Sequence, residues 1–308
     1  MRDAFLKSLS NLAQVDKDVV LLTADLGFGV FEQFELDFSN QFFNVGVAEQ
    51  NMTGLAVGLS LEGKKVVTYS IGNFPILRCL EQIRNDACYH ESNLMIVGSG
   101  GGFSYGSLGM SHHTTEDIAI LRALPSMTVV APSTAWEAEQ ATEHLVKKGG
   151  VSYLRIDKTA AKEHNNKDRI FQLGKARKHA EGTDITLIAT GGILYDAQEA
   201  ANNLLTLGIK ARVLGIHTIK PIDSNEIISA AKETGGIITI EEHNKDGGLG
   251  SAVAEVCMDN YIFPRKFLRI GLENTYSSIV GSQQYLKSRY KMDSKAILEA
   301  TVKLLKGN

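Results

Sequence analysis

Apolar, β-branched runs of four or five residues recur at 19–23, 65–69, 93–97 and 128–131, each the length of a buried strand. Between and after them, apolar positions repeat at helical spacing over 52–61, 74–89, 116–123 and 135–147. Such alternation predicts an α/β fold built on a mostly parallel sheet. The rhythm stops near Lys158, and 158–175 is rich in Lys, Asn, Glu and His with little periodicity. It resumes with strand patterns at 185–190, 211–214, 236–240 and 266–270, and helical ones at 196–207, 224–234 and 249–259. The expected layout is a domain over 1–160, a linker over 161–175 and a smaller α/β domain over 176–308.

A length of 308 residues agrees with two domains. An apolar fraction of 44%, a charged fraction of 22% and a formal net charge of −3 describe an ordinary globular chain without a nucleic-acid or membrane signature. Cys79, Cys88 and Cys257 lack CxxC spacing, which points to reduced thiols in a cytosolic setting rather than a disulfide frame or zinc site. The amphipathic start, broken by Arg2, Asp3, Lys7 and Asn11, is not a signal peptide, and no later run approaches a membrane span.

Candidate chemistry begins with Glu49, a lone carboxylate after the apolar Phe42, Phe43, Val45 and Val47, with little charge around it. A carboxyl removed from water can share a proton with a ring nitrogen instead of pairing with a lysine. Equally, it can cap the helix that follows. Gly54 and Gly58, one turn apart beside Leu55 and Leu59, predict a helix face that a neighbouring backbone or ring approaches closely. Asp25 ends an apolar run just before Gly27 and Gly29, where α/β sheets place ligands, or else it braces the turn. Phe74 precedes Pro75 at a helix start, offering a flat face to a ring or to the core. His112 and His113 sit in a glycine-rich loop, and an imidazole titrating near neutrality can move protons. No Cys or third His stands at ligand spacing beside them, so no metal site is expected in this chain. Arg155, inside the strand pattern Tyr153-Leu154-Arg155-Ile156, wants an anion partner.

Five stretches occur in one order: Thr23-Ala24-Asp25-Leu26, Val45-Gly46-Val47-Ala48-Glu49-Gln50, Gly106-Ser107-Leu108-Gly109-Met110-Ser111-His112, Leu124-Pro125 through Ala131-Pro132, and Glu241-Glu242-His243 with Gly247-Gly248-Leu249-Gly250. With them the chain resembles the transketolase family over nearly its whole length, as a pyrimidine-binding domain followed by the transketolase C-terminal domain. It looks like the C-terminal subunit of a split transketolase. The resemblance implies thiamine diphosphate as cofactor and transfer of a two-carbon ketol unit between sugars. It gives Glu49 the hydrogen bond to N1′ of the aminopyrimidine, favouring its imino tautomer, and Phe74 the stacking contact. Asp25 would lie near cofactor and substrate. His112 would touch the donor's oxygens and move protons, with His113 beside it where the family usually has Gln. Arg2 and Arg155 match two arginines that grip a sugar phosphate.

Departures cluster around the sugar. Leu108 stands where an Asp is common, Gly100 replaces a His and Gly29 a Ser. These three imply an altered substrate, a modified or differently phosphorylated sugar. Beside Phe74, Ile71 and Leu77 stand where the family has aromatics. The Gly-Asp-Gly that binds Mg²⁺ in thiamine enzymes is absent, and Lys245-Asp246-Gly247 with Asn274 belongs to the C-terminal domain's own signature. A partner subunit is therefore expected to hold Mg²⁺ and the diphosphate, with the active site between chains in an α2β2 assembly. The competing readings are the β subunit of a 2-oxo acid dehydrogenase E1 component, a 1-deoxyxylulose-5-phosphate synthase-like enzyme, and a non-catalytic regulatory subunit. Glu49-Gln50-Asn51, Ser111-His112 and Arg155 favour the transketolase.

Overall fold

In the first strand, Val19–Thr23, all five residues are buried, the mark of a strand covered on both faces. The computed structural model describes residues 1–163 and 170–307; 164–169, within the expected linker, and 308 lie outside the described residues. The strands are β1 Val19–Thr23, β2 Phe42–Asn44, β3 Lys65–Ile71, β4 Leu94–Ser99, β5 Thr128–Val130 and β6 Ser152–Ile156. Then come β7 Arg177–Ala180, β8 Ile185–Ala189, β9 Ala211–Gly215, β10 Thr218–Lys220, β11 Ile237–Asn244 and β12 Phe267–Leu272. Two sheets result, a seven-stranded one in the order β10-β5-β6-β4-β3-β1-β2 and a five-stranded one in the order β12-β11-β8-β9-β7. Pairing is parallel except at one edge of each, where β10 runs against β5 and β7 against β9.

The larger sheet is packed on both faces. Helices Arg2–Val15 and Ala135–Lys148 lie together on one side, sealing Phe5, Leu9, Leu21, Val67 and Leu145. On the other, helix Glu49–Leu61 and the segment after Phe74 seal Leu22, Met52, Ala56, Ile76, Ile83 and Ile96. The single helix expected over 74–89 is instead two short helices, Phe74–Leu77 and Leu80–Gln82, then a wider helical turn over Ile83–Cys88. Widening lets the consecutive Ala87 and Cys88 both reach the core with Ile76, Cys79 and Ile83.

Gly54 and Gly58 depart from expectation. A Cβ at either would meet nothing within 4 Å, and Leu55 is exposed, so this face is open in the chain itself. The second departure is β10, which comes from the second half yet completes the first sheet, pairing Thr218 with Val130 while Ala131 N–H donates to His217 O at 2.8 Å. The two halves are thus laced through backbone hydrogen bonds. Among the described residues, no helix is long and apolar enough to cross a membrane.

Candidate active site

The C-terminal ends of β1, β2, β3, β4 and β6 lie along one border of the larger sheet, and the loops leaving them carry most of the expected site residues. Asn44, the last residue of β2, organises two of these loops. Its Oδ1 accepts the Asp25 N–H at 2.9 Å and the Gly46 N–H at 3.1 Å. Asp25 adopts a positive φ of 53°, and Gly46 one of 75°, so each of the two loops turns sharply where Asn44 holds it. The second turn delivers Glu49 to the start of helix Glu49–Leu61, where it is buried to 5% exposure.

Glu49 is the acidic residue of that helix's first turn, a place that also suits a carboxylate at the positive helix end. It is not isolated, as the sequence suggested. Arg78, 29 residues further on, places Nη1 3.1 Å from both Glu49 oxygens. The same guanidinium lies 4.4 Å from the centre of the half-buried Phe74 ring. Gln50 fixes the base of this arrangement by donating to Arg78 O at 2.9 Å.

Phe74 meets the His112 ring edge-on, with centroids 5.2 Å apart. His112 follows the Gly109 turn (φ 83°), and its Nδ1 lies 3.0 Å from Ser111 Oγ. Asn73 Nδ2 reaches Ser111 O at 3.4 Å and also donates to His113 O, gripping the chain on both sides of His112. Gly72 allows that grip, because a Cβ there would fall 2.3 Å from Thr114 Oγ1. Arg78, Gln50 and Asn73 went unassigned in the sequence; Asn73 and Gln50 had a signal in standing next to Phe74 and Glu49, and Arg78 had none.

Further along the border, Tyr105 lies 6.5 Å from His112, and Lys158 Nζ sits 3.9 Å over the Tyr105 ring. The two join Arg2, Ser99 and Asp157 around a cavity of about 330 Å³. Arg2 is half-exposed and pairs only loosely with Asp3, Nε to Oδ1 at 3.2 Å. Tyr105 also explains Gly100: a Cβ there would fall 2.1 Å from the tyrosine ring, so the glycine makes room for it.

Two expected substrate contacts are corrected. Arg155 is 1% exposed, and nothing dissolved in water reaches it. Its Nε lies 3.0 Å from Asp117 Oδ2, and Nη2 donates to Thr114 O at 3.1 Å and Glu242 O at 2.9 Å. The anion it sought is internal. His113 turns inward, 3% exposed, with Nε2 3.3 Å from Gly106 O and its ring edge-on to Phe103. Burial lowers its pKa, leaving a neutral ring inside the loop.

Arg155 belongs to the joint that holds the His112 loop to the second sheet. The loop is closed at its base by paired hydrogen bonds between Gly102 and Thr114, at 2.8 and 2.9 Å. Glu242 on β11 accepts the Phe103 N–H at 2.6 Å and is held by Gln283 Nε2 at 2.9 and 3.0 Å. Burial, with the Asp157 charge adding to it, pushes the Glu242 pKa up to about 7. A carboxyl raised from its unfolded value of 4.5 stabilises the fold most below pH 4.5, and loses that contribution as pH rises through about 7. Glu242→Gln should therefore gain on the wild type, by roughly 1–3 kcal/mol, as pH rises over this window. Urea unfolding of both proteins at pH 4.5 and 8 checks this; a gap independent of pH would contradict it. Among the described residues, no group of three or more His, Cys, Asp or Glu is arranged to hold a metal ion.

Two family models match this architecture, the transketolase pyrimidine binding domain over residues 1–163 and the transketolase C-terminal domain over residues 174–297. The chain belongs to the transketolase family. It is 38% identical to a subunit of the apulose-4-phosphate transketolase of Phocaeicola vulgatus, over 99% of this chain and 97% of that one. It is 34% identical to the 6-deoxy-6-sulfo-D-fructose transketolase subunit SqwH of a Clostridium species, over 97% and 92% of the two chains. A solved split-gene transketolase, described as an inactive beta4 tetramer, superposes with a TM-score of 0.88 at 34% identity, covering 99% of this chain and 97% of that one.

Proposed function

We propose that this chain is the C-terminal subunit of a thiamine diphosphate-dependent transketolase, moving a two-carbon ketol unit between phosphorylated or otherwise modified sugars. The observation that carries the reading is a buried carboxylate, Glu49, facing a planar group of N–H donors that lies over the Phe74 ring, with His112 alongside. The guanidinium of Arg78 is a stand-in: a flat nitrogen heterocycle with hydrogen-bonding edges suits the same carboxylate and the same ring face. Thiamine diphosphate, when bound, supplies the thiazolium that stabilises the carbanion formed on breaking the ketose C–C bond.

The chain's own part is positioning and proton control. Glu49 would hold the aminopyrimidine ring nitrogen and set its tautomer from a rigid helix start. Phe74 would orient the ring plane, and Asp25, fixed by Asn44, would line the same border. His112, half-buried and gripped through Asn73, would move protons at the donor's oxygens. Arg2, with Lys158 beside it, would face the charged end of the sugar.

A partner subunit carrying Gly-Asp-Gly would hold Mg²⁺ and the diphosphate. The open Gly54–Gly58 face and the exposed Phe43, Val47 and Leu55, all within seven residues of Glu49 in the chain, support an interface there. The names of the two sugar-specific relatives support a modified sugar, and their description as subunits, with that of the split-gene enzyme, supports a two-chain enzyme. The test is reconstitution. The chain, the partner, thiamine diphosphate and Mg²⁺ together should transfer ketol units from a ketose phosphate, and each chain alone should not. Full activity from this chain alone would overturn the proposal.

A further inference from the structure

The geometry around Glu49 points to a residue of the cofactor site that no family motif marked. We propose that Arg78 and the cofactor's aminopyrimidine compete for one place, so that Arg78 sets the apparent affinity for thiamine diphosphate. This rests on the function proposed above.

Three features support competition rather than a merely structural ion pair. The first is shape. A guanidinium is planar, carries N–H donors along its edge, and stacks on aromatic faces, as a protonatable aminopyrimidine also does. Arg78 uses all of these at once, reaching both Glu49 oxygens at 3.1 Å and lying 4.4 Å from the Phe74 centroid. Both groups it engages are those a stacked, carboxylate-bound ring would need.

The second is freedom to leave. The Arg78 side chain is 52% exposed, while Glu49 is 5% exposed. Its backbone is held by Gln50, so a change of rotamer swings the guanidinium into solvent without moving the helix. Leaving costs Arg78 little, since its guanidinium is already half in water; the cost falls on the buried Glu49 unless a new partner takes the same place. The third is charge. With the cofactor away, Arg78 gives a buried carboxylate a counter-charge; without it Glu49 would lie unpaired in an apolar setting. Displacement and loading are then one exchange, in which the Glu49–Arg78 contact breaks as the Glu49–ring contact forms.

When a site must first be vacated, apparent affinity falls by the fraction of molecules in which it is open. Removing the competitor should restore it. Calorimetric titration of thiamine diphosphate with Mg²⁺ into the assembled two-subunit complex reads this directly, using wild type, Arg78→Met, Arg78→Lys and Glu49→Gln. Arg78→Met keeps the length of the side chain without its donors and should bind about three- to tenfold more tightly, with a faster association rate. Arg78→Lys, charged but not planar, should fall between. Raising salt should narrow the gap between wild type and Arg78→Met, since it screens the ion pair.

Equal or weaker binding by Arg78→Met would overturn the proposal and make Arg78 a scaffold or a ligand contact. If the wild-type complex binds no thiamine diphosphate, or binds it equally well with Glu49→Gln, the function proposed above fails and this inference falls with it. Binding that depends on Glu49 but not on Arg78 refutes the competition alone.

Discussion

Glu49→Gln in the reconstituted enzyme is expected to lower kcat by about 10²–10⁴-fold, the range associated with losing a positioned proton-transfer group. The amide keeps the size and one acceptor of the carboxylate, so the helix start and the Phe74–His112 contact should survive. What it loses is the ability to hold and exchange a proton with a ring nitrogen. The measurement is steady-state ketol transfer at saturating thiamine diphosphate, with circular dichroism to confirm the fold. A chain that served only as a regulatory subunit would show wild-type turnover.

Arg155→Met should act on stability instead. In the native chain Asp117 lies against Arg155 and accepts from Tyr153 OH at 2.7 Å, and all three side chains are buried. Removing the cation strands Asp117, and with it Asp157, in a low-dielectric interior, and breaking a buried pair in this way costs about 3–5 kcal/mol. The loss should show as an earlier urea midpoint. It should also loosen the His112 loop, because Arg155 bridges Thr114 O to Glu242 O. An arginine that gripped a sugar phosphate would behave differently: the urea midpoint would hold, and KM for the phosphorylated sugar would rise. Unchanged stability with a raised KM would restore the expectation that the structure corrects.

Much of the fold was legible because it follows from burial along the chain. β1 at Val19–Thr23 and helix Leu249–Asp259 fall where periodicity puts them, since an unbroken apolar run and a 3.6-residue repeat leave little choice. β10 was not legible, being three residues long and stable only because β5 offers it an edge. The site divides the same way. Asp25, Phe74 and His112 sit at strand ends or in loops leaving them, and Glu49 opens a helix, so place in the chain implies place at the border.

Arg155 and His113 show the limit of that inference. A motif fixes position in the chain, not what packs over it. Here β11 covers the strand end beneath Arg155 and supplies Glu242, while Phe103 and Gly106 turn His113 inward. Arg78 was hidden for a related reason. Its pairing with Glu49 spans 29 residues and depends on how the helix after Phe74 breaks, which helical periodicity does not encode.

The most direct measurement is a structure of this chain with its diphosphate-binding partner, Mg²⁺ and thiamine diphosphate. The aminopyrimidine should stack on Phe74 with a Glu49 oxygen in hydrogen-bond contact with its ring nitrogen, and Arg78 should be swung clear. Cofactor bound elsewhere, with Glu49 still paired to Arg78, would contradict this.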